Sequence, residues 1–160
     1  MRLSRILVPL DGSALAEAAL SSAASLAGAD TVLMLMRAAE AYTVPGADPT
    51  AAQVEVVREA EAYLAEVAER LQRQGLRSVQ TSVWYGPAAP AIVDAARLRR
   101  ADLIVMSTHG RSGLGRLFLG SVAEYVLRAS RVPILLLRSD GAPVESAAPS
   151  PAAPREVTHA

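Results

Sequence analysis

The sequence predicts an α/β domain: a single doubly wound sheet of five parallel strands with helices on both faces. Three observations carry this. Five short apolar runs recur along residues 1–138. Helical stretches separate them, marked by amphipathic periodicity and by Gly, Pro and Ser punctuation. The alternation is strict, and strands joined through helices run parallel with right-handed crossovers.

The first strand is read at 3–10, where Leu3, Ile6, Leu7, Val8 and Leu10 are nearly continuous. Asp11-Gly12-Ser13 is a turn, and Ser13 is placed to cap a helix over 14–27. Leu15, Ala19, Ala23 and Leu26 give that helix its apolar face, with Gly28 closing it. The second strand is 31–36. Pro45, Gly46 and Pro49 make 38–50 a loop. The longest helix is 51–74, with Val57, Leu64, Val67 and Leu71 on one face and Gly75 after it. The third strand, 79–85, ends at Gly86-Pro87, and a helix follows to about residue 99. A fourth strand at 102–106 leads into a Gly-rich segment, a helix at 121–129 and a last strand at 132–138. Residues 139–160 are rich in Ala, Pro and Ser without apolar periodicity, so a disordered tail is expected there and the folded domain is 1–138.

Composition narrows the chemistry. Of the 160 residues 51% are apolar and 20% charged, enough for one buried core. Acidic and basic residues balance at 16 each, which argues against a nucleic-acid or membrane-surface partner. There is no cysteine, which removes disulfides, cysteinyl metal sites and thiol nucleophiles and fits a cytoplasmic location. There is no lysine, so neither a Walker loop nor a Schiff base can form. No secretory signal or transmembrane run is read. His109 has no nucleophile or orienting partner that the sequence identifies, and with His159 it matches no zinc spacing. No catalytic or metal residue is therefore assigned.

The segment from Ser107 to Ser121 is the informative one. It leaves a buried strand and enters a helix. Its glycines let backbone amides approach an anion, and the helix start adds free N–H groups. Arg111 and Arg116 supply charge, or are simply solvated. Ligands of doubly wound sheets bind beyond the strands' C-terminal ends, so the candidate loops are 9–13, 36–39, 85–87 and 107–121.

These pieces resemble the universal stress protein family. Ile6 through Ser13 looks like its first strand and turn, and Ala101 through Met106 like its fourth strand. His109-Gly110-Arg111-Ser112-Gly113 with Leu119 through Glu124 looks like its nucleotide loop, and Val132 through Leu137 like its last strand. ATP-binding members carry Gly, two residues, Gly, nine residues, then Gly with Ser or Thr. Gly110 and Gly120-Ser121 keep that spacing, while Ser107 stands where the first glycine would be.

The resemblance implies a sheet order of 3-2-1-4-5 and ATP as ligand, with Mg²⁺ held mainly by phosphates. Pro9 and Asp11 would line the adenine and ribose end, and the Met36 backbone (alternatively that of Arg37) would meet adenine. Ser107, Thr108, His109, Gly110, Arg111, Ser112 and Gly113 would wrap ribose and phosphates. Gly120, Ser121, Val122 and Ala123 would hold the terminal phosphates. It also implies a homodimer through residues 132–137, an apolar sheet edge that needs covering, and a stress-linked regulatory role. Slow adenine-nucleotide hydrolysis is one alternative. A dimer that binds partners without nucleotide is another, raised by Ser107. Plainer readings stand beside these. Ser121 and Glu124 match a Ser-x-x-Glu capping box, and Asp11 suits an Asx turn.

Overall fold

The computed structural model describes residues 3–41, 49–108 and 119–138. Nine elements follow in order: β1 (Arg5–Pro9), α1 (Ala14–Leu26), β2 (Val32–Ala39), α2 (Pro49–Arg73), β3 (Val79–Tyr85), α3 (Ala88–Leu98), β4 (Leu103–Thr108), α4 (Ser121–Ala129) and β5 (Ile134–Arg138). The strands form one parallel sheet in the order β3-β2-β1-β4-β5. This is the doubly wound α/β fold with the implied order.

Alternation along each strand sorts side chains to two cores. Ile6, Val8, Leu33, Leu35 and Val105 face α1 and α2, where Leu20, Leu64, Val67 and Leu71 meet them. Leu7, Met34, Met36, Ile104 and Met106 face α3 and α4, against Ile92, Ala95 and Val126. Each fully buried Leu, Ile or Met contributes about 1.5–3 kcal/mol. The central strands are apolar on both faces because helices cover both.

The lower end of the sheet is pinned by polar side chains. Asp102 Oδ2 accepts from the N–H groups of Ser4 and Arg5, each at 2.8 Å. Thr31 donates its hydroxyl to the Leu3 carbonyl at 2.6 Å and accepts from the Gly28 N–H at 2.9 Å. These bonds set the depth of β1 against β2 and β4.

Several expectations are corrected. Strand β2 runs to Ala39, three residues beyond 36, because pairing with β3 continues through Ala39↔Tyr85. Helix α1 ends at an extended Ala27 rather than at Gly28, and Leu26 is exposed. The capping box does not form: Gly120 is the N-cap of α4, with no side-chain capping bond, and Glu124 pairs with Arg128. Arg70 of α2 pairs with Glu17 of α1 and joins the two helices. The tail at 139–160 and the loop positions 42–48 lie outside the described residues. Among the described residues no helix is long and apolar enough to cross a membrane.

Candidate functional site

The sheet opens between β1 and β4. Their ladder has only two pairs, Ile6↔Leu103 and Leu7↔Ile104. On their outer sides, pairing continues to Pro9↔Met36 and to Thr108↔Arg138. Proline is the cause on the β1 side. The Arg5 carbonyl accepts from Asp102 and the Leu10 N–H bonds to Met36, so odd residues of β1 face β4 and even ones face β2. Pro9 therefore faces β4 at the point where a donor is needed, and it has no N–H. The crevice lies where strand order reverses, the expected place for a ligand in this architecture.

A cavity of about 330 Å³ fills the crevice. One part is apolar, lined by Met36, Ala38, Ala88, Ile92 and Met106. Asp11, Ser13, Ser107 and Ser121 add polar groups to the lining, and Gly120 adds backbone.

The β1 wall is a turn built by three side chains. Asp11 Oδ1 accepts from the Ser13 N–H at 2.8 Å, the expected Asx turn, and Ser13 Oγ caps α1 by accepting from Ala16 at 3.1 Å. Gly12 takes φ +89° between them, a left-handed conformation that suits glycine. Behind the turn, the Arg37 guanidinium lies 5.2 Å from the Tyr63 ring centroid. Tyr63 donates to Glu17 Oε1 at 2.9 Å, and Glu17 also holds Arg70. Burial, then the hydrogen bond to Glu17 and its charge, push the Tyr63 phenol well above its ordinary range.

The β4 wall ends in two hydroxyls with different fates. Thr108 donates to the Leu119 carbonyl at 2.6 Å. Ser107 lines the cavity, and its Oγ is buried with no hydrogen-bond partner among the described residues. Across from them the first residues of α4, Ser121, Val122 and Ala123, line the cavity behind Gly120, whose φ and ψ are 72° and 148°. With glycine at the cap, no side chain caps the first N–H groups, and the positive end of the helix dipole lies at the cavity.

The structure thus brings Pro9, Asp11, Met36, Ser107, Thr108, Gly120, Ser121, Val122 and Ala123 to one cavity. His109, Gly110, Arg111, Ser112 and Gly113 lie outside the described residues. Met36 lines the cavity, but its carbonyl already accepts from Leu10 at 2.8 Å and its side chain is fully buried. Arg37 is paired with Val83 on the β3 side. Sequence reasoning missed Ala38, Ala88 and Ile92. Ala88 and Ile92 fall at i,i+4 on one helix face, a signal the sequence does carry. Ala38 fell within the candidate loop 36–39 but received no role of its own, because a loop was read where β2 continues.

Comparison with known proteins decides the family. The profile described as "Universal stress protein family" matches residues 3–138. The chain belongs to the universal stress protein family. A universal stress protein of Mycobacterium tuberculosis H37Rv is 31% identical over 142 residues, covering 84% of this chain and 95% of the relative. One of Mycobacterium bovis is 34% identical over 139 residues, covering 83% of this chain but 45% of the relative. One of Methanocaldococcus jannaschii is 38% identical over 80 residues, covering 50% and 46% of the two chains. In the last two matches the chain spans about half the length of the relative.

Solved universal stress protein structures share the fold. A Burkholderia pseudomallei member superposes with a TM-score of 0.66 at 31% identity, over 85% of this chain and 96% of that one. A universal stress protein solved in complex with cAMP gives 0.67 at 21% identity, over 87% and 99%.

Proposed function

We propose that the chain binds an adenine nucleotide, ATP in the first place, in the crevice between β1 and β4, and acts as a nucleotide-linked regulator. The observation that carries this is the mixed lining of the cavity, apolar side chains together with Asp11, Ser107 and the glycine-capped start of α4. An apolar slot between Met36, Ala38, Ile92 and Met106 suits a base. Asp11 and Ser107 suit a sugar. The glycine-capped start of α4 suits phosphates, because anions are stabilised there by free N–H groups and the dipole. A structural neighbour of this fold was solved with cAMP, another adenine nucleotide.

Residue roles follow from the register. Ala38 is the next residue after Met36 whose N–H and C=O face the β1 side, and β1 has ended there. Ala38 therefore offers the backbone edge for adenine in place of Met36. Gly120, Ser121, Val122 and Ala123 hold the phosphates. His109 to Gly113 complete the binding segment by resemblance. Mg²⁺ would be held mainly by phosphate oxygens and water, with Asp11 the one carboxylate among the described cavity residues. In the same reading, a homodimer covers the outer edge of β5, which pairs only with β4 in the sheet.

The test is calorimetric titration of Mg·ATP into nucleotide-stripped protein, with Ser121→Glu beside the wild type. Ser121 is exposed at the first turn of α4, where a carboxylate suits the dipole but opposes phosphates. The expected result is one saturable site per chain, lost in S121E while its melting temperature is kept or raised. No binding by wild type, or binding unaffected by S121E, removes the assignment. Light scattering tests the dimer, and a monodisperse monomer would sink that part alone.

A further inference from the structure

We propose that Ser107 reads the ribose: its buried hydroxyl hydrogen-bonds a sugar hydroxyl and makes the site prefer ribonucleotides over deoxyribonucleotides. The inference rests on the nucleotide reading above and deepens it. Ser107 Oγ is the one buried side-chain hydroxyl of the cavity lining without a hydrogen-bond partner among the described residues. The neighbouring Thr108 and the facing Ser13 both make hydrogen bonds. A buried hydroxyl left alone destabilises the protein, so a bound group that reaches it recovers the loss.

Its place selects the sugar rather than the base or the phosphates. Ser107 stands three residues past the last β1–β4 pair, on the β4 wall. Asp11 stands four residues past it on the β1 wall, with Oδ1 accepting from the Ser13 N–H. A carboxylate on one side of the crevice and a hydroxyl on the other match a vicinal diol, which both donates and accepts. Glycine at position 107 would leave the diol with Asp11 alone, so serine adds a contact rather than merely filling space.

The experiment measures dissociation constants of Mg·ATP, Mg·2′-deoxyATP and Mg·3′-deoxyATP for nucleotide-stripped wild type, Ser107→Ala and Ser107→Gly. Wild type is expected to bind ATP about three- to tenfold tighter than at least one deoxy analogue, the scale of one hydrogen bond. In S107A and S107G that ratio should fall toward one, with S107A melting no lower than wild type without ligand. ATP binding with the same ratio in all three proteins overturns this inference and leaves the nucleotide site standing. Equal weakening of all three ligands in S107A also overturns it, because the hydroxyl would then serve another part of the nucleotide. No ATP binding by wild type overturns the nucleotide reading and this inference together.

Discussion

Thr108 donates its hydroxyl hydrogen to the carbonyl of Leu119 across 2.6 Å. The bond joins the last residue of β4 to the residue before the cap of α4, so it ties together the two ends between which positions 109–118 run. Thr108 is only 6% exposed, which shields the bond from competing water. Thr108→Val keeps the shape and removes the donor. It should destabilise by about 1 kcal/mol, because the partly buried Leu119 carbonyl loses its donor. It should also weaken Mg·ATP, since the cavity wall and the start of α4 lose their link. Equal urea midpoints for wild type and T108V would remove this role.

Ser121 lies inside α4 and not at its cap, so its hydroxyl is not needed to hold the helix. Ser121→Ala should leave stability within about 0.5 kcal/mol, as for an exposed site without special contacts. A capping serine would instead cost about 1 kcal/mol. Any loss of Mg·ATP affinity in S121A then reports on the ligand. Chemical denaturation and titration of the same preparation separate the two effects.

Gly120 adopts φ 72° and ψ 148°, and a Cβ built there meets nothing within 4 Å. The cost of Gly120→Ala is therefore conformational and not a collision. About 1–3 kcal/mol is expected, seen as a lowered melting temperature. Unchanged melting would mean that the cap relaxes to a conformation alanine accepts.

Arg100 is a non-glycine residue at φ 53°. It follows the α3 cap Arg99, and the bonds Arg100 to Arg97 (3.2 Å) and Ala101 to Ala96 (2.9 Å) close a Schellman turn. Glycine is the residue such a turn favours. Arg100→Gly should stabilise the fold by about 1 kcal/mol, read from the urea midpoint. A destabilised variant would show that the arginine side chain makes a contribution larger than the strain.

Tyr63 links pH to stability. Its phenol is held neutral by burial and by Glu17, so its folded value is raised above the unfolded one, about 10. Above that pH the unfolded chain loses the proton first. The contribution is thus complete below about 10 and falls as pH rises toward the folded value. Tyr63→Phe lacks the ionisation. Its stability relative to wild type should improve steadily from pH 9 to 11, and parallel curves would contradict this.

Much of this was legible in the sequence. The strand and helix order follows from apolar runs and their punctuation, because buried strands and amphipathic helices each impose a period. Ser13 as a cap and Asp11 as an Asx turn are local chemistry, decided by neighbours one to three residues away. Other features depend on partners far along the chain. Ala38 and Ala39 are strand residues because β3 pairs with them, not because of their own preference. Gly120 displaced Ser121 as the cap because its backbone turned there, a geometry that a Ser-x-x-Glu pattern does not specify.

The sequence by itself determined the fold class, the family and several of the residues that line the cavity, since patterns and motifs are local or ordered along the chain. The tertiary structure decided which groups are free. Pro9 opens the crevice because it happens to face β4, and Met36 is engaged because Leu10 lies beside it. Thr108 is satisfied by Leu119, while Ser107, one residue earlier and on the opposite face, finds no partner among the described residues. A hydroxyl's availability depends on what surrounds it in space, and residue type and spacing do not carry that information.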